Sequence, residues 1–537
     1  MHKLRNIVAA MAIGGSMLAG SAQNAQGGIK NPITLAVLAV YEEELAQNPN
    51  DYNILLSRAD EYYRHNEYIR ALDDVNRALN LIPGADTELR LRAYVLRAGI
   101  NDQMNRYEDA LTDLNSASAL DPTSYAVMYQ KANIEYTLGK YADAKEDYNK
   151  LVRINSRRPE PYLGLARIAV KENNLGIANE MLATAVNLDP NNSETYVRRA
   201  NVRKQMGDHN GAVDDLVLAL STDNTNQKAM SALIEYGNTN YPAVMAGLSN
   251  AVQQAPQVGM YRYIRAVIAQ AHCHYLAAIQ DYKEILDKGI YNYHGIYASI
   301  AECQYCLGNY ADALDFVDRA LSMARDDSNH FVLRSQILRA MRRNDEAVKA
   351  AADALAVDRN SNAALMEMAL GYVALGNYDE ASNLLGEAIL NDAENPIYAM
   401  MRAWVLEQYL NKPVAARQLY EQVADMTHFY IDNPRSYKGF AQLFLGDEAP
   451  ATKWMDNIIA TVDDTDGYIH YMGACFYAQS GDMDKAMKCA EKSLDLGYAN
   501  YHQWTEAADG RITVAPLRDD LRFLNMLHRH DAIFGKE

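Results

Sequence analysis

A small residue returns at a nearly fixed interval along almost the whole chain, and that interval limits the possible folds more than any other feature. It falls at Val37, Ala71, Ala110, Ala144, Ala178, Ala212, Val244, Ala278, Ala313, Ala347, Ala381, Ala416, Ala451 and Ala486, in steps of 34, 39, 34, 34, 34, 32, 34, 35, 34, 34, 35, 35 and 35 residues. Twelve residues before most marks stands a second small residue, as at Ala59, Ala98, Ala132, Ala166, Ala200, Ala232, Ala266, Ala301, Ala369 and Ala474. Seven residues after many marks stands a third, as at Ala78, Ala117, Ala185, Ala219, Ala320, Ala354 and Ala388. The stretch Asn362 to Asp392 shows what one period contains. Apolar and small residues recur at helical spacing on both sides of Gly376-Asn377-Tyr378, so the period reads as two helices and a turn. Gly376 ends the first helix, where a left-handed residue is favoured. Ala369 and Ala381 let the two backbones approach, and Tyr372, Tyr378 and Leu385 fill the space around them. One hairpin cannot bury its own apolar face, so it needs neighbours on both sides, and the chain supplies them in series.

On these residues the chain resembles the tetratricopeptide repeat (TPR) family over nearly its whole length from Pro32 onward. The turns Gly139-Lys140-Tyr141, Gly308-Asn309-Tyr310 and Gly376-Asn377-Tyr378 agree, and Asp121-Pro122 and Asp189-Pro190 end second helices as the family's closing proline does. There are departures. Tyr94, Tyr162, Tyr196 and Tyr297 replace the family's early tryptophan, and the unit around residues 226–256 has Tyr241-Pro242 in its turn. An extra residue falls near Lys412-Pro413, and an insertion at Pro83-Gly84-Ala85-Asp86 accounts for the long step. The resemblance implies an all-α, right-handed superhelical α-solenoid of about thirteen helix-turn-helix units with helical caps. Its expected organisation is a leader at 1–22, a linker at 23–31, an N-terminal capping helix at 32–50, and units at 51–258 and 259–498. A C-terminal capping segment follows at 499–537, where Trp504, Leu517 and Phe523 should cover the last repeat. In the capping helix Val37, Tyr41 and Leu45 share one face.

The N-terminal residues read as a cleavable secretory signal. His2, Lys3 and Arg5 precede an apolar run from Ile7 to Ala19, then Gly20-Ser21-Ala22, with the cut expected after Ala22. That run is too short to span a bilayer, and no later stretch is long and uncharged enough to do so. With the leader, the chain is similar to exported bacterial-type members of the family, periplasmic or extracellular, and any association with an outer membrane would run through a partner. A formal net charge of −18 argues against a nucleic-acid binder. The array takes 467 residues and the C-terminal segment 39, and neither leaves the roughly 100 residues that an independent catalytic domain needs.

Chemistry-bearing motifs are few. There is no Gly-x-Ser-x-Gly, no His-Glu-x-x-His and no phosphate loop. Acidic pairs such as Asp73-Asp74 and Asp214-Asp215 are expected on solvated helix faces or at helix ends. The one outside candidate for a metal or catalytic centre is His272, Cys273, His274, Cys303 and Cys306, which stacking of adjacent repeats would bring together as zinc-type ligands. A Cys273–Cys306 disulfide, or plain packing of these side chains, is the alternative. Cys475 and Cys489 are expected as thiols. No cofactor is implied.

The resemblance places function on the inner face, where repeat positions 2, 5, 9, 12 and 13 of the first helices meet a ligand. Those positions here include Tyr63, Arg64, Arg92, Tyr129, Asn133, Tyr136, Arg167, Lys171, Asn201, Lys204, Tyr236, Tyr263, Tyr305 and Arg339. Asn133 and Asn201 share the position that grips a peptide backbone in some family members, although the full chaperone-binding clamp is not reproduced in consecutive units. Later the same face turns apolar, through Met366, Leu370, Val373, Met400, Phe440, Leu443 and Phe444, to bind a partner helix or be covered by the chain itself. Three readings stand: a non-catalytic envelope scaffold that binds protein or peptide segments, a metal or enzymatic role at the His/Cys group, and a glycan-binding envelope module.

Overall fold

The computed structural model describes residues 32–290, 292–427, 435–505 and 510–535; the expected leader and linker lie outside the described residues. Among the described residues there are 29 α-helices, two short 3-10 segments and no strand. No helix among them is long and apolar enough to cross a membrane. Consecutive helices pair as antiparallel hairpins, from Tyr52–Arg64 with Tyr68–Leu81 to Tyr468–Ser480 with Met483–Asp495. The array divides into two compact units, one ending at Met230 and one starting at Ser231. Each is an all-α helical-repeat solenoid.

The recurring small residues lie at the helix crossings, where there is no room for more than a methyl group or two. Ala71, Ala110, Ala144, Ala178, Val244, Ala278, Ala313, Ala347, Ala381, Ala451 and Ala486 are all 0% exposed. Where the upstream position is Ser335 instead of alanine, its hydroxyl donates to the carbonyl of Ala347 at 2.8 Å, so the buried polar atom is satisfied. The turn is equally regular. Five residues before the mark the backbone is left-handed at Asn66, Asn105, Gly139, Asn173, Gly207, Cys273, Gly308, Arg342, Gly376, Asn411, Gly446 and Gly481. Most are Gly or Asn, the residues that adopt this conformation at least cost.

First helices of successive repeats also touch one another, as His294–Cys306 does Ser328–Ala340, and this sets them along the inner face. Close approach shapes that face. Gly164 leaves space for the wholly buried ring of Tyr148, since a Cβ there would fall 2.3 Å from the ring. The capping helix Pro32–Gln47 packs on Tyr52–Arg64 but buries Thr34, Leu38 and Leu45, with Val37 and Tyr41 half-buried. The expected stripe is thus rotated, because the spacing 34, 38, 41, 45 follows the helical period more closely.

A correction concerns the acidic residues. Asp74 and Asp215 are not on solvated faces; both are buried against a cation from the preceding helix. The arrangement repeats with a separation of 16 residues: Arg58–Asp74 at 2.7 Å, Arg97–Asp113 at 2.6 Å, Arg199–Asp215 at 2.5 Å and Arg265–Asp281 at 2.6 Å. Lys131–Asp147 at 3.1 Å takes the same place. Each arginine forks onto its carboxylate through two nitrogens, which fixes the angle between the paired helices as well as joining them. Asp215 is wholly buried and also meets Arg203 at 3.1 Å. Removing it would take the carboxylate from Arg199 and leave Arg203 with the Gly211 carbonyl and Asp208. Asp215→Ala should therefore cost about 3 to 5 kcal/mol, whereas Asp214→Ala, at an exposed position, should change stability by no more than about 0.5 kcal/mol. Hydrogen exchange across the hairpin of residues 193–222 would read the difference.

Candidate functional site

In the unit ending at Met230, four of the expected inner-face residues, Tyr129, Asn133, Tyr136 and Arg167, form one group held by hydrogen bonds and a cation–π contact. The Asn133 carbonyl oxygen accepts from Arg167 Nη2 at 2.7 Å and from the Tyr148 hydroxyl at 2.7 Å. Arg167 Nη2 also donates to Tyr148 at 3.0 Å, and Asn133 Nδ2 donates to the carbonyl of Tyr129 at 3.0 Å. The Arg167 guanidinium lies 4.6 Å from the centre of the Tyr136 ring. Burial pushes the Tyr148 phenol up to about 12, with Arg167 pulling the other way, so it stays a neutral donor. Tyr63, Asp102, Gln130, Asn133, Thr137 and Arg167 line a cleft of about 360 Å³ that spans successive first helices. The asparagine expected to grip a peptide backbone has its carbonyl oxygen already engaged by Arg167 and Tyr148. Arg167 is the cation held at the cleft.

The remaining expected residues of this unit are more dispersed. Arg64 is exposed and paired with Asp60 at 2.7 Å, and Arg92, Lys171, Asn201 and Lys204 are exposed. In the unit from Ser231, Tyr236 is buried and Tyr263 packs on the Tyr282 ring at 6.1 Å, so both serve the core. Tyr305 and Arg339 line a separate cavity.

That cavity, of about 400 Å³, lies between the first helices and the chain's own C-terminal segment. Arg339 pairs with the buried Glu367 at 3.1 Å, and Gln336 donates to the same carboxylate at 3.3 Å. Opposite them, His502 hydrogen-bonds the hydroxyl of Tyr310 at 2.9 Å and packs on Tyr305 at 5.4 Å. Arg511 pairs with Glu407 at 2.8 Å and lies 4.0 Å over the Phe444 ring. Gly510 sits against Met401. None of the seven apolar residues from Met366 to Phe444 singled out in the sequence is exposed. Residues 500–505 and 510–513 cover Met366, Leu370, Met400 and Phe444 of this face as well as the last repeat. Trp504 anchors it: the indole is wholly buried, donates to the carbonyl of Tyr498 at 2.9 Å, and packs on Tyr471 at 4.9 Å.

The group His272, Cys273, His274, Cys303 and Cys306 is not a metal centre in the structure. His272 is buried, bonds the carbonyl of Gly237 at 3.1 Å and packs on Tyr241 at 4.5 Å; burial pushes it down to about 4. His274 is exposed and lies 5.1 Å from the same tyrosine ring. Cys273 is the left-handed turn residue of its repeat, with φ +61°, and accepts from the Tyr275 hydroxyl at 3.4 Å. All five cysteines are buried thiols, so the disulfide reading of Cys273 and Cys306 is set aside. The spacing that suggested convergence comes from turn and core positions of the repeat. A different group does converge, and sequence reasoning missed it: His294, Asp327 and His330 have donor atoms within 4.8 Å of one another. The available signal was two histidines 36 residues apart, about one repeat, at the starts of adjacent first helices.

An array of hairpins that crosses on small residues and presents its first helices on one face defines a helical-repeat interaction scaffold. Residues 102–159, 338–405 and 468–496 each match tetratricopeptide repeat models, so the chain carries tetratricopeptide repeats. The family is in general a non-catalytic scaffold for protein interactions. The chain is similar to the BBSome complex member BBS4 of Bos taurus, 20% identical over 270 residues, and to Tetratricopeptide repeat protein 7B of Homo sapiens, 30% identical over 114 residues. The matched stretches take 48% and 21% of this chain, and only 49% and 13% of those proteins, so the chain spans about half their length or less. Among solved structures, yeast Tom70 is 15% identical over 76% of this chain and 97% of its own, with a TM-score of 0.36.

The C-terminal segment gives a direct test of how its cavity is closed. Trp504→Ala should cost about 3 to 5 kcal/mol, as for other buried aromatic truncations. Arg511→Ala, which loses a half-exposed ion pair and a ring contact, should cost only about 1 kcal/mol. Limited proteolysis within residues 500–513 would rank the two.

Proposed function

We propose that this chain is a non-catalytic scaffold of the cell envelope that seats an extended segment of a protein partner along the first helices of its N-terminal unit. The reading rests on the Tyr129–Asn133–Tyr136–Arg167 group and its cleft. There an arginine is held in place over a tyrosine ring, with amide, hydroxyl and carboxylate groups around it. Tyr, Arg and Asn give rigid contact area and directional hydrogen bonds at little entropy cost, which suits a peptide lying across several repeats. The exposed Lys171, on the same helix as Arg167, and Asn201 and Lys204, on the next first helix Ser193–Met206, continue this polar lining. Export through the leader at 1–22 belongs to the same reading, and the isolated protein should then begin at Gln23.

The test is affinity capture from envelope extract with residues 23–537, followed by measurement of Kd for the recovered protein. The comparison carries Arg167→Ala, Lys171→Ala, Asn201→Ala and Lys204→Ala together. Loss of at least about tenfold in affinity, the scale of one disrupted charged contact, supports the assignment, provided circular dichroism shows the array intact. Unchanged affinity would move the contact to another face. Recovery of glycan in place of protein would favour the envelope-lectin reading.

A further inference from the structure

We propose that His294, Asp327 and His330 bind one divalent transition-metal ion of the zinc class, pinning two neighbouring first helices together. His294 is the first residue of the helix His294–Cys306, Asp327 caps the helix Ser328–Ala340, and His330 is the third residue of that helix. His294 Nδ1 lies 2.9 Å from His330 Nε2, and Asp327 Oδ2 lies 3.5 Å from the same Nε2. A tetrahedral ion with bonds of about 2.0–2.1 Å holds its ligand atoms roughly 3.3 Å apart, so these separations already bracket the required edge.

The surroundings fix the donors. Asp327 Oδ1 accepts the backbone N–H of Asn329 at 3.0 Å, and this cap turns Oδ2 toward His330. The Tyr293 ring packs on His294 at 4.3 Å. His330 is 6% exposed, so its imidazole is held in one place by packing. The three donor atoms therefore lie within 4.8 Å of one another, and His330 Nε2 shares a hydrogen bond with His294 Nδ1 while facing a carboxylate oxygen. A cation in place of the proton shared by the two rings would be held by all three donors. Two histidines and a carboxylate are a common set for zinc and related ions, and they leave a fourth position for water.

The experiment uses tag-free residues 23–537, stripped of metal and titrated with Co(II) and then Zn(II). The expected result is one equivalent of Co(II) with the visible absorption of a four-coordinate site, its displacement by Zn(II), and a rise in the thermal midpoint on Zn(II) binding. His294→Ala, His330→Ala and Asp327→Asn should each weaken binding at least about tenfold and abolish the midpoint rise. Asp327→Asn keeps a capping side chain, and His294→Ala changes only a half-buried ring, so these two decide the matter if His330→Ala does not fold. A His272→Gln, His274→Gln double variant should bind as the unaltered chain does. Absence of stoichiometric binding, or binding unchanged in His294→Ala and Asp327→Asn, would overturn the site.

Discussion

Everything in this protein depends on how closely two helix backbones can approach within a hairpin. The marks from Ala71 to Ala486 are at or near zero exposure because a neighbouring helix occupies the space a larger side chain would need. At that distance the fork of Arg58, Arg97, Arg199 or Arg265 reaches the carboxylate on its partner helix without a bridging water. The alanines bring the helices together and the ion pair sets their angle. Repeated along the chain, the two devices make each hairpin much the same shape, so stability accumulates through local, nearest-neighbour contacts.

The periodic part of this structure was legible in the sequence because periodic positions share an environment. The alanine marks, the left-handed turn five residues before them, and the pairing of helices all follow from one ruler. Contacts that occur once do not. Tyr310 meets His502 across 192 residues, and nothing in the spacing of either residue announces the other. Burial of Asp74 and Asp215 was missed because acidic pairs on helices usually face water. Only the coincidence of a cation 16 residues earlier, repeated in several units, marks them as core. Cys273 misled for the opposite reason: a reactive residue type occupies a slot that most other repeats fill with Gly or Asn. His294, Asp327 and His330 became visible only once neighbouring helix starts were set side by side.

The inner faces of the two units have taken different courses. In the N-terminal unit the lining is polar, and its arginine is oriented by hydrogen bonds to Asn133 and Tyr148. In the other, methionines, a leucine and aromatics lie beneath the chain's own residues 500–505 and 510–513, and Arg339 with Glu367 and Arg511 with Glu407 are paired internally. A face occupied by its own chain has already satisfied much of the apolar area that a partner would otherwise cover.

The reach of that segment also imposes an order on assembly. Hairpins close with neighbours a few dozen residues away and can form one after another as the chain emerges. The bonds of His502 to Tyr310 and of Arg511 to Glu407 span 192 and 104 residues, so they wait until all the hairpins between have been made. Until then the methionine-rich face lacks this cover, and the segment that supplies it acts as a long-range closing step on a fold otherwise built from neighbour to neighbour.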